Sequence, residues 1–286
     1  MTHESPVNAM QSRSSVRSFT DRDIAPELLD QLLTAACQAP TGGNLQPYSF
    51  VVVRDEVDNR WLADNCHQAF IGEAPVNVLV CLDFHLLRAW AQAQHAPFVM
   101  HRSLRHFWIS AEDALIAGHA LCTAAELSGL GTVYIGTIIE FLPDIIQRFA
   151  IPKLVLPLVL ITMGYPAADP PDPRPRLPVE AVVHHGRYQV ATPESADAYI
   201  QQKWGTRYAN FPMTAERQQE LEQVVREVDG DQAARTITRQ AAGQEKATMA
   251  QRYFVFHYTA SHMISGNPHF RDVLAQQGFC FDDLME

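Results

Sequence analysis

One long helical stretch, residues 103–129, constrains the fold of this chain more than any other segment. Its central sequence, EDALIAGHALCTAAELSG, is rich in alanine and apolar on most sides. One stripe at helical spacing contains Leu115, Gly118, Leu121, Cys122 and Ala125. A helix that is apolar nearly all round is stable only when it is buried. We therefore predict that it lies at the centre of the fold or against a second subunit.

Three short runs of β-branched and aromatic residues are predicted to form strands. They are YSFVVV at residues 48–53, VNVLVCL at 76–82 and PLVLITM at 157–163. The runs are apolar almost throughout and do not alternate with polar residues, which predicts a sheet covered on both faces. Helices are predicted over residues 21–37, where apolar residues recur at helical spacing, and over 143–149.

The last third of the chain differs in composition from the rest. Residues 169–178, DPPDPRPRLP, contain five prolines and are predicted to form a rigid, extended connector. We predict a core over residues 1–192 and a mostly helical extension over residues 193–286, as parts of one domain. The only strand-like run predicted in that extension is residues 253–258.

Composition and charge exclude several classes of protein. The 286 residues are 47% hydrophobic and 19% charged, as in a soluble globular protein, and 32 acidic against 22 basic residues give a net charge of −10. This balance argues against a nucleic-acid-binding protein and against one held on anionic lipid. The N-terminus lacks a signal-peptide pattern, and no apolar run could span a bilayer, so we expect a cytoplasmic protein. Five cysteines without a CxxC pair are expected to be reduced thiols, and twelve histidines without ligand spacing predict no metal site.

The first candidate binding segment is RSSVR at residues 13–17. Arg13, Ser15 and Arg17 stand at alternate positions, whose side chains point to the same side of an extended chain. Two guanidiniums and a hydroxyl suit an oxyanion, because arginine offers a rigid fork of donors. Taken alone, the segment is more simply interpreted as a solvated basic patch.

A second candidate is the loop APTGGNLQPYSF at residues 39–50. Its glycines allow the backbone to approach a ligand closely, and its asparagine and glutamine amides can recognise the edge of a ring. The alternative is an ordinary loop that ends a helix and leads into a strand.

The order and spacing of these motifs resemble the FMN-dependent nitroreductase family. RSSVRSF, an amphipathic helix and APTGGNLQPYSFVVV are similar to its N-terminal signature. GLGTVYIG, followed after roughly forty residues by PRPRLP, is similar to its NADPH-preferring nitroreductase and flavin reductase subgroup. The resemblance extends over about residues 10–188. It implies an α+β, nitroreductase-like fold with a central mixed β-sheet flanked by helices and a helical C-terminal extension.

The resemblance implies which residues hold the phosphate end of FMN. Arg13 and Ser15 would bind the phosphate, and Ser14 is a further candidate, although a basic residue is usual at its position. Arg17 would lie near N1 and O2 of the ring, where a cation stabilises the negative charge of the reduced flavin. A clamp on the phosphate and ribityl end would be formed by Arg174 and Arg176.

The resemblance also implies contacts with the flavin ring. The loop that reaches the flavin from the other subunit corresponds to Thr41, Gly42, Gly43, Asn44 and Gln46. Gln68 corresponds to an amide at the pyrimidine edge. The segment along the ring corresponds to Tyr134, Ile135, Gly136 and Thr137, with the Gly136 peptide near N5, the atom that accepts hydride.

The implied activity is carried by the cofactor, and no residue is expected to act as a nucleophile. Hydride would pass from NADPH or NADH to FMN and then to nitroaromatic, quinone or flavin acceptors in a ping-pong cycle. The implied assembly is a homodimer with FMN at the interface and the C-terminal extension around the partner. Two alternatives stay open: a family member with another reaction, such as reductive dehalogenation or flavin destruction, and a flavin-binding protein without turnover.

Two further sets of residues follow from the same resemblance. Lys203 and Arg207 stand where the subgroup places cations for the 2′-phosphate of NADPH. Phe98, Phe107 and Trp108 would line the acceptor site under a variable flap, although a surface excursion fits this stretch equally well.

Overall fold

A computed structural model describes residues 5–205 and 211–281 of the chain. The chain forms two compact units. The first consists of Met1–Pro173 together with Arg271–Glu286, and the second of Arg174–Phe270. The boundary that composition predicts after residue 192 lies inside the second unit.

A four-stranded sheet forms the centre of the first unit. Its strands are β1 (Tyr48–Val53), β2 (Val76–Asp83), β3 (Gly131–Ile135) and β4 (Val155–Gly164). They are arranged in the order β1-β2-β4-β3, and each neighbouring pair is antiparallel. The predicted α+β class and the three predicted strands are confirmed.

Two expectations about the sheet are wrong for the described residues. The sheet is antiparallel and not mixed. The sequence did not predict this, because strand direction depends on which end of the sheet each connection returns to, and the sequence of a helical connection does not encode that. Strand β3 was not predicted. It has only five residues and begins with Gly131, a residue that strands disfavour.

Helices surround the sheet and make up most of the second unit. In the first unit they are α1 (Pro6–Gln11), α2 (Pro26–Ala36), α3 (Glu56–Cys66), α4 (Phe70–Glu73), α5 (His85–Ala93), α6 (Leu104–Leu127) and α7 (Leu142–Arg148). In the second unit they are α8 (Pro193–Trp204), α9 (Ala215–Asp229), α10 (Asp231–Ala241), α11 (Met249–Phe254) and α12 (Ala260–Met263), and α13 (Asn267–Gln276) follows. The helical character of the extension is confirmed.

The strand-like run at residues 253–258 does not form a strand. Its first two residues end α11, and the following residues form turns. A capping box starts this helix, because Thr248 and Gln251 satisfy each other's backbone N–H groups. This local start signal outweighs the β-propensity of the aromatic residues that follow.

The sheet separates two apolar cores, which confirms that it is covered on both faces. On β2, Leu79 and Cys81 face a core that includes residues of α3, α4 and α7. Val78 and Val80 face the opposite core, which includes residues of α2 and α6. The alternation follows from the pleat of a strand, which points successive side chains to opposite faces.

Helix α6 is buried on one side and exposed on the other. Gly118, Leu121 and Cys122 are buried against the sheet, as the predicted stripe requires, but Leu115 is 44% exposed. The exposed side also carries the large apolar side chains Trp108, Ile116 and Leu127. An apolar surface of this kind on a helix marks a contact surface.

Three further observations concern the described residues. No described helix has the length and apolar character needed to cross a membrane. No cluster of three or more His, Cys, Asp or Glu side chains there is arranged to hold a metal ion. All five cysteines are free, and burial raises the pKa of Cys66 to about 11 and that of Cys81 to about 12. Thiols with such raised pKa values react weakly at neutral pH.

Candidate active site

The segment at residues 13–17 is attached to the start of β3 through Val16. The Val16 N–H donates to the carbonyl oxygen of Thr132 at 3.1 Å, and the Val16 side chain is buried. A Cβ atom on Gly131 would lie 2.5 Å from Val16, so only glycine allows this approach. Because Val16 points into the core, its neighbours Ser15 and Arg17 point away from it.

Arg13 is fixed to the C-terminal end of α6 by an ion pair. Its Nε lies 3.2 Å from Oε1 of Glu126, and both side chains are 22% exposed. The same carboxylate oxygen accepts a hydrogen bond from Oγ1 of Thr132 at 2.6 Å. The predicted phosphate arginine is therefore held in place at a surface that a solute can still reach.

The polar network continues from Thr132 into the core beneath α6. Burial raises the pKa of the Cys122 thiol and outweighs the nearby Tyr134 and Thr132 hydroxyls, which lower it. Burial, followed by the neighbouring Cys122, also raises the pKa of Tyr134. Since the Tyr134 side chain packs against α6, its backbone is the part that can approach a ligand.

One buried polar atom near this network lacks a partner among the described residues. The hydroxyl oxygen of Ser14 is buried, and no described group hydrogen-bonds to it. Leaving a buried hydroxyl unsatisfied costs about 1–3 kcal/mol. A ligand oxygen beside residues 13–17 would remove that cost, so the segment fits a phosphate-bearing cofactor.

Two predicted ring contacts that are 69 residues apart in the chain meet at the end of β3. Nε2 of Gln68 donates to Oγ1 of Thr137 at 3.3 Å. Gly136 lies between the last residue of β3 and Thr137, and it is exposed. A Cβ atom added to Gly136 would meet no described atom within 4 Å. The backbone therefore borders open space at this point, next to an amide and a hydroxyl, as a flat ring with polar edges requires.

The loop at residues 41–46 is anchored to the N-terminal half of α6. Asp113, a buried carboxylate, accepts from Oγ1 of Thr41 at 2.9 Å and from the N–H of Gly42 at 2.9 Å. Oγ1 of Thr41 in turn accepts from the N–H of Gln46 at 3.0 Å. Three hydrogen bonds thus hold both ends of the loop.

Three residues of this loop have left-handed backbone conformations. The φ angles are +61° at Gly43, +56° at Asn44 and +50° at Gln46. Glycine and asparagine adopt this region readily, whereas glutamine does so at a cost. Gln46 is held there by hydrogen bonds from its Nε2 to the carbonyl oxygen of Cys37 and to the Tyr48 hydroxyl, both at 3.2 Å. Such a constrained conformation favours a functional role for the loop.

The predicted site residues of the first unit form two groups on either side of α6. Asp113 anchors one group and Glu126 anchors the other. The two carboxylates are 13 residues apart on α6, which corresponds to about 20 Å along a helix and to nearly opposite sides of it. The sheet order agrees, because residues 41–46 precede β1 at one edge and residues 134–137 end β3 at the other. Residues 13–17 and residues 134–137 thus lie at the start and the end of the same strand, β3, with Gln68 at its end, whereas residues 41–46 lie at the opposite edge of the sheet.

The remaining predicted cofactor residues belong to the second unit or lie outside the described residues. Arg174 and Arg176 begin the second unit in a segment without helix or strand, and both are exposed, so their role stays a prediction. Lys203 lies with Nζ 4.6 Å from the centre of the Trp204 ring, and Arg207 lies outside the described residues.

The three predicted acceptor-site aromatics have different surroundings. Phe107 packs edge-on against Phe279 and Phe281, with ring centres 5.4 Å apart in both pairs, and so belongs to the packing of the C-terminal segment. Phe98 is partly buried against Phe84, and Trp108 is 65% exposed on α6.

Sequence reasoning missed the two carboxylates that organise the site, Asp113 and Glu126. Both interrupt the apolar sequence of α6. An acidic side chain is rarely buried unless it is paired, so an Asp inside an alanine-rich apolar run signals a specific partner. That signal was present, but the sequence does not identify Thr41 and Gly42 as the partners.

Comparisons with known proteins identify the family of this chain. A model of the nitroreductase family matches residues 10–165. FMN reductase (NAD(P)H) of Bacillus subtilis strain 168 is 35% identical over 185 residues, which cover 64% of this chain and 74% of that protein. The oxygen-insensitive NADPH nitroreductase of Salmonella typhimurium strain LT2 is 30% identical over 184 residues, which cover 64% and 74%. The crystal structure of a proposed oxidoreductase from Bacteroides fragilis has a TM-score of 0.76 and 29% identity, covering 96% of this chain and 99% of that one.

Proposed function

The chain belongs to the nitroreductase family, and on that premise we propose that it is an FMN-dependent oxidoreductase using NAD(P)H. Its acceptors are flat molecules: nitroaromatics, quinones or flavins. Relatives named FMN reductase and NADPH nitroreductase support this activity. The structural observation that carries the proposal is the meeting of Gln68 and Thr137 beside the open backbone of Gly136.

The described residues fit FMN at both of its ends. At the ring, Gln68 and Thr137 offer an amide and a hydroxyl to the polar edge, and the Gly136 backbone admits the ring without a side-chain clash. At the phosphate, Arg13 offers charge and Ser14 a buried hydroxyl without a described partner. Bound FMN supplies the two-electron chemistry, while the chain supplies position and charge.

Arg17 and the pair Arg174 and Arg176 complete the proposed set. Arg17 stands in the extended segment beside β3, next to the buried Val16, and we assign it to the N1 and O2 edge of the ring. A fixed cation there stabilises the charge of the reduced cofactor. We assign the other two arginines to the phosphate and ribityl end, where Pro175 restricts the chain between them.

The proposed site is shared between two copies of the chain. Residues 41–46 and residues 13–17 are attached to α6 about 20 Å apart and on nearly opposite sides, which argues against one ligand meeting both within one chain. A second copy supplies the missing group, because the exposed apolar side of α6, including Leu115 and Ile116, offers a surface for self-association. We therefore propose a homodimer with FMN at its interface, acting in the cytoplasm.

The visible spectrum of the purified protein tests this function. We expect a yellow protein whose flavin absorbance is bleached by NADPH or NADH without oxygen and restored by menadione or nitrofurazone. A protein that stays yellow with both nucleotides contradicts the reductase activity. A colourless protein that does not take up added FMN contradicts the cofactor assignment as well.

A further inference from the structure

An apolar cavity of about 210 Å³ lies next to the 41–46 loop. One wall is a face of α5, the opposite wall is the chain that follows α5, and Leu45 of the loop closes one side. Apart from Leu45, no residue that lines this cavity belongs to the segments assigned to FMN.

The shape of the cavity follows from the spacing of residues on α5. Leu87, Trp90 and Ala91 lie three and four positions apart and so share one side of the helix. Leu87 and Ala91 are buried and form the floor, whereas Trp90 is 59% exposed at the rim. After the helix the chain turns back, because the N–H of Ala96 donates to the carbonyl oxygen of Ala91 at 2.8 Å.

The opposite wall contains Phe98 and Met100. The Phe98 ring is held in place by an edge-on contact with the buried Phe84, with ring centres 6.2 Å apart, and by stacking on His101 at 5.9 Å. The wall is therefore preformed and does not depend on a ligand to order it.

The chemistry of the lining selects an apolar guest. None of the lining residues is charged, and the only polar side-chain groups among them are the Gln94 amide and the indole N–H of Trp90. The phosphates and ribose of a nicotinamide nucleotide would lose their hydration here without compensation. An apolar cavity of about 150 Å³ suffices for one benzene ring. A cavity of about 210 Å³ therefore suits one ring with a few added carbons, or a branched chain of comparable size.

We propose that this cavity receives the apolar substituent of a quinone acceptor while the quinone ring lies against the flavin. The inference rests on the proposed function. Leu45 connects the two places, because it lines the cavity and belongs to the loop assigned to the ring. The quinone accepts two electrons and a proton from NAD(P)H and one proton from solvent, and it leaves as the hydroquinone. Trp90, Phe98 and Met100 then determine which substituents are accepted.

A matched pair of variants of the holoenzyme tests the proposal. Ala96→Phe fills the cavity from its exposed rim, whereas Ala93→Phe adds the same group to α5 outside the cavity. The two acceptors are 1,4-naphthoquinone and its 2-(3-methylbut-2-enyl) derivative. In a hydrophobic pocket, losing the contacts of even one methylene lowers kcat/KM for a substrate about tenfold or more. We expect Ala96→Phe to raise KM for the prenylated quinone about tenfold and to leave KM for the parent quinone nearly unchanged. Ala93→Phe should leave KM for both quinones nearly unchanged.

Binding without turnover gives a second readout. The prenylated quinone should quench the fluorescence of Trp90 saturably in the oxidised protein, and Ala96→Phe should weaken this quenching. Equal changes in KM for both quinones would overturn the proposal. Quenching that does not saturate would also overturn it, and would indicate that a second chain fills the cavity. If no acceptor supports NAD(P)H oxidation, the proposed function fails instead, and the quenching still decides whether the cavity binds the substituent.

Discussion

Two carboxylates of α6 hold the two halves of the proposed site by different chemistry. Asp113, near the middle of the helix, is 6% exposed and binds the backbone N–H of Gly42 and the Thr41 hydroxyl. Glu126, at the end, pairs with the Arg13 guanidinium, and both side chains are 22% exposed.

The difference assigns different tasks to the two carboxylates. Asp113 accepts hydrogen bonds from two uncharged donors of the loop, so its role is to fix the shape of the loop. Glu126 accepts from the Thr132 hydroxyl and orients a cation that still reaches solvent and can meet a phosphate. This ion pair is only partly buried, and ion pairs that still reach solvent typically contribute about 0–1 kcal/mol to stability. The first contact should therefore matter for folding and the second for binding.

The largest effect is expected from Asp113→Ala, because it leaves the donors of Thr41 and Gly42 without their buried acceptor. Hydrogen bonds to charged groups are worth about 1.5–3 kcal/mol each. We expect the free energy of unfolding in urea to fall by about 3 kcal/mol. Glu112→Ala, a change at the exposed neighbouring position, serves as the control. Equal stability of the two variants would contradict the anchoring role.

Removal of the phosphate cation should affect binding more than stability. We expect Arg13→Ala to weaken FMN affinity roughly ten- to hundredfold, since it removes a charge-assisted bond of about 1.5–3 kcal/mol. Titration of the apoprotein with FMN measures this. Arg60→Ala, which changes an exposed arginine on α3, should bind as the unaltered protein does. If Arg13→Ala also binds FMN as tightly as the unaltered protein, Arg13 is not a phosphate ligand.

The same contrast explains how much the sequence predicted. Local patterns identified β1, β2, β4 and α6, because apolar periodicity and β-branched runs depend on neighbours in the chain. The partners of Asp113 lie about seventy residues away in the chain. Strand direction likewise depends on contacts between separate segments, which no local pattern encodes. The meeting of Gln68 and Thr137 was expected only through family resemblance.

Alkaline pH should weaken the Glu126 end, where Cys122 and Tyr134 have raised pKa values. Both stay protonated in the folded chain at a pH where the unfolded chain loses these protons. Their stabilisation is complete below the ordinary thiol pKa of 9.0 and is lost as the pH rises above it. The expected loss is up to about 1.4 kcal/mol per pH unit for each group. Urea unfolding between about pH 8 and about pH 10 measures the slope, which should be shallower for Cys122→Ala. An unchanged slope would contradict this account.

The smallest effect is expected from Glu126→Ala, which leaves Arg13 charged but no longer oriented. Ordering one flexible side chain on binding costs about 0.5–1.5 kcal/mol, so FMN affinity should fall about two- to tenfold. Glu126→Asp, which retains the negative charge, should restore part of the lost FMN affinity. A loss as large as that of Arg13→Ala would mean that Glu126 does more than orient the arginine.

Activity of mixed dimers tests the shared site most directly. Arg13→Ala impairs the group at β3, and Gly43→Val impairs the loop, because a β-branched residue is strained at a φ of +61°. Each variant alone should have weak NAD(P)H oxidation at limiting FMN. If two chains share each site, refolding the variants together leaves one intact site in every mixed dimer, and activity rises to about a quarter of the unaltered level. Activity that stays at the level of the separate variants would place both groups in one chain and contradict the account.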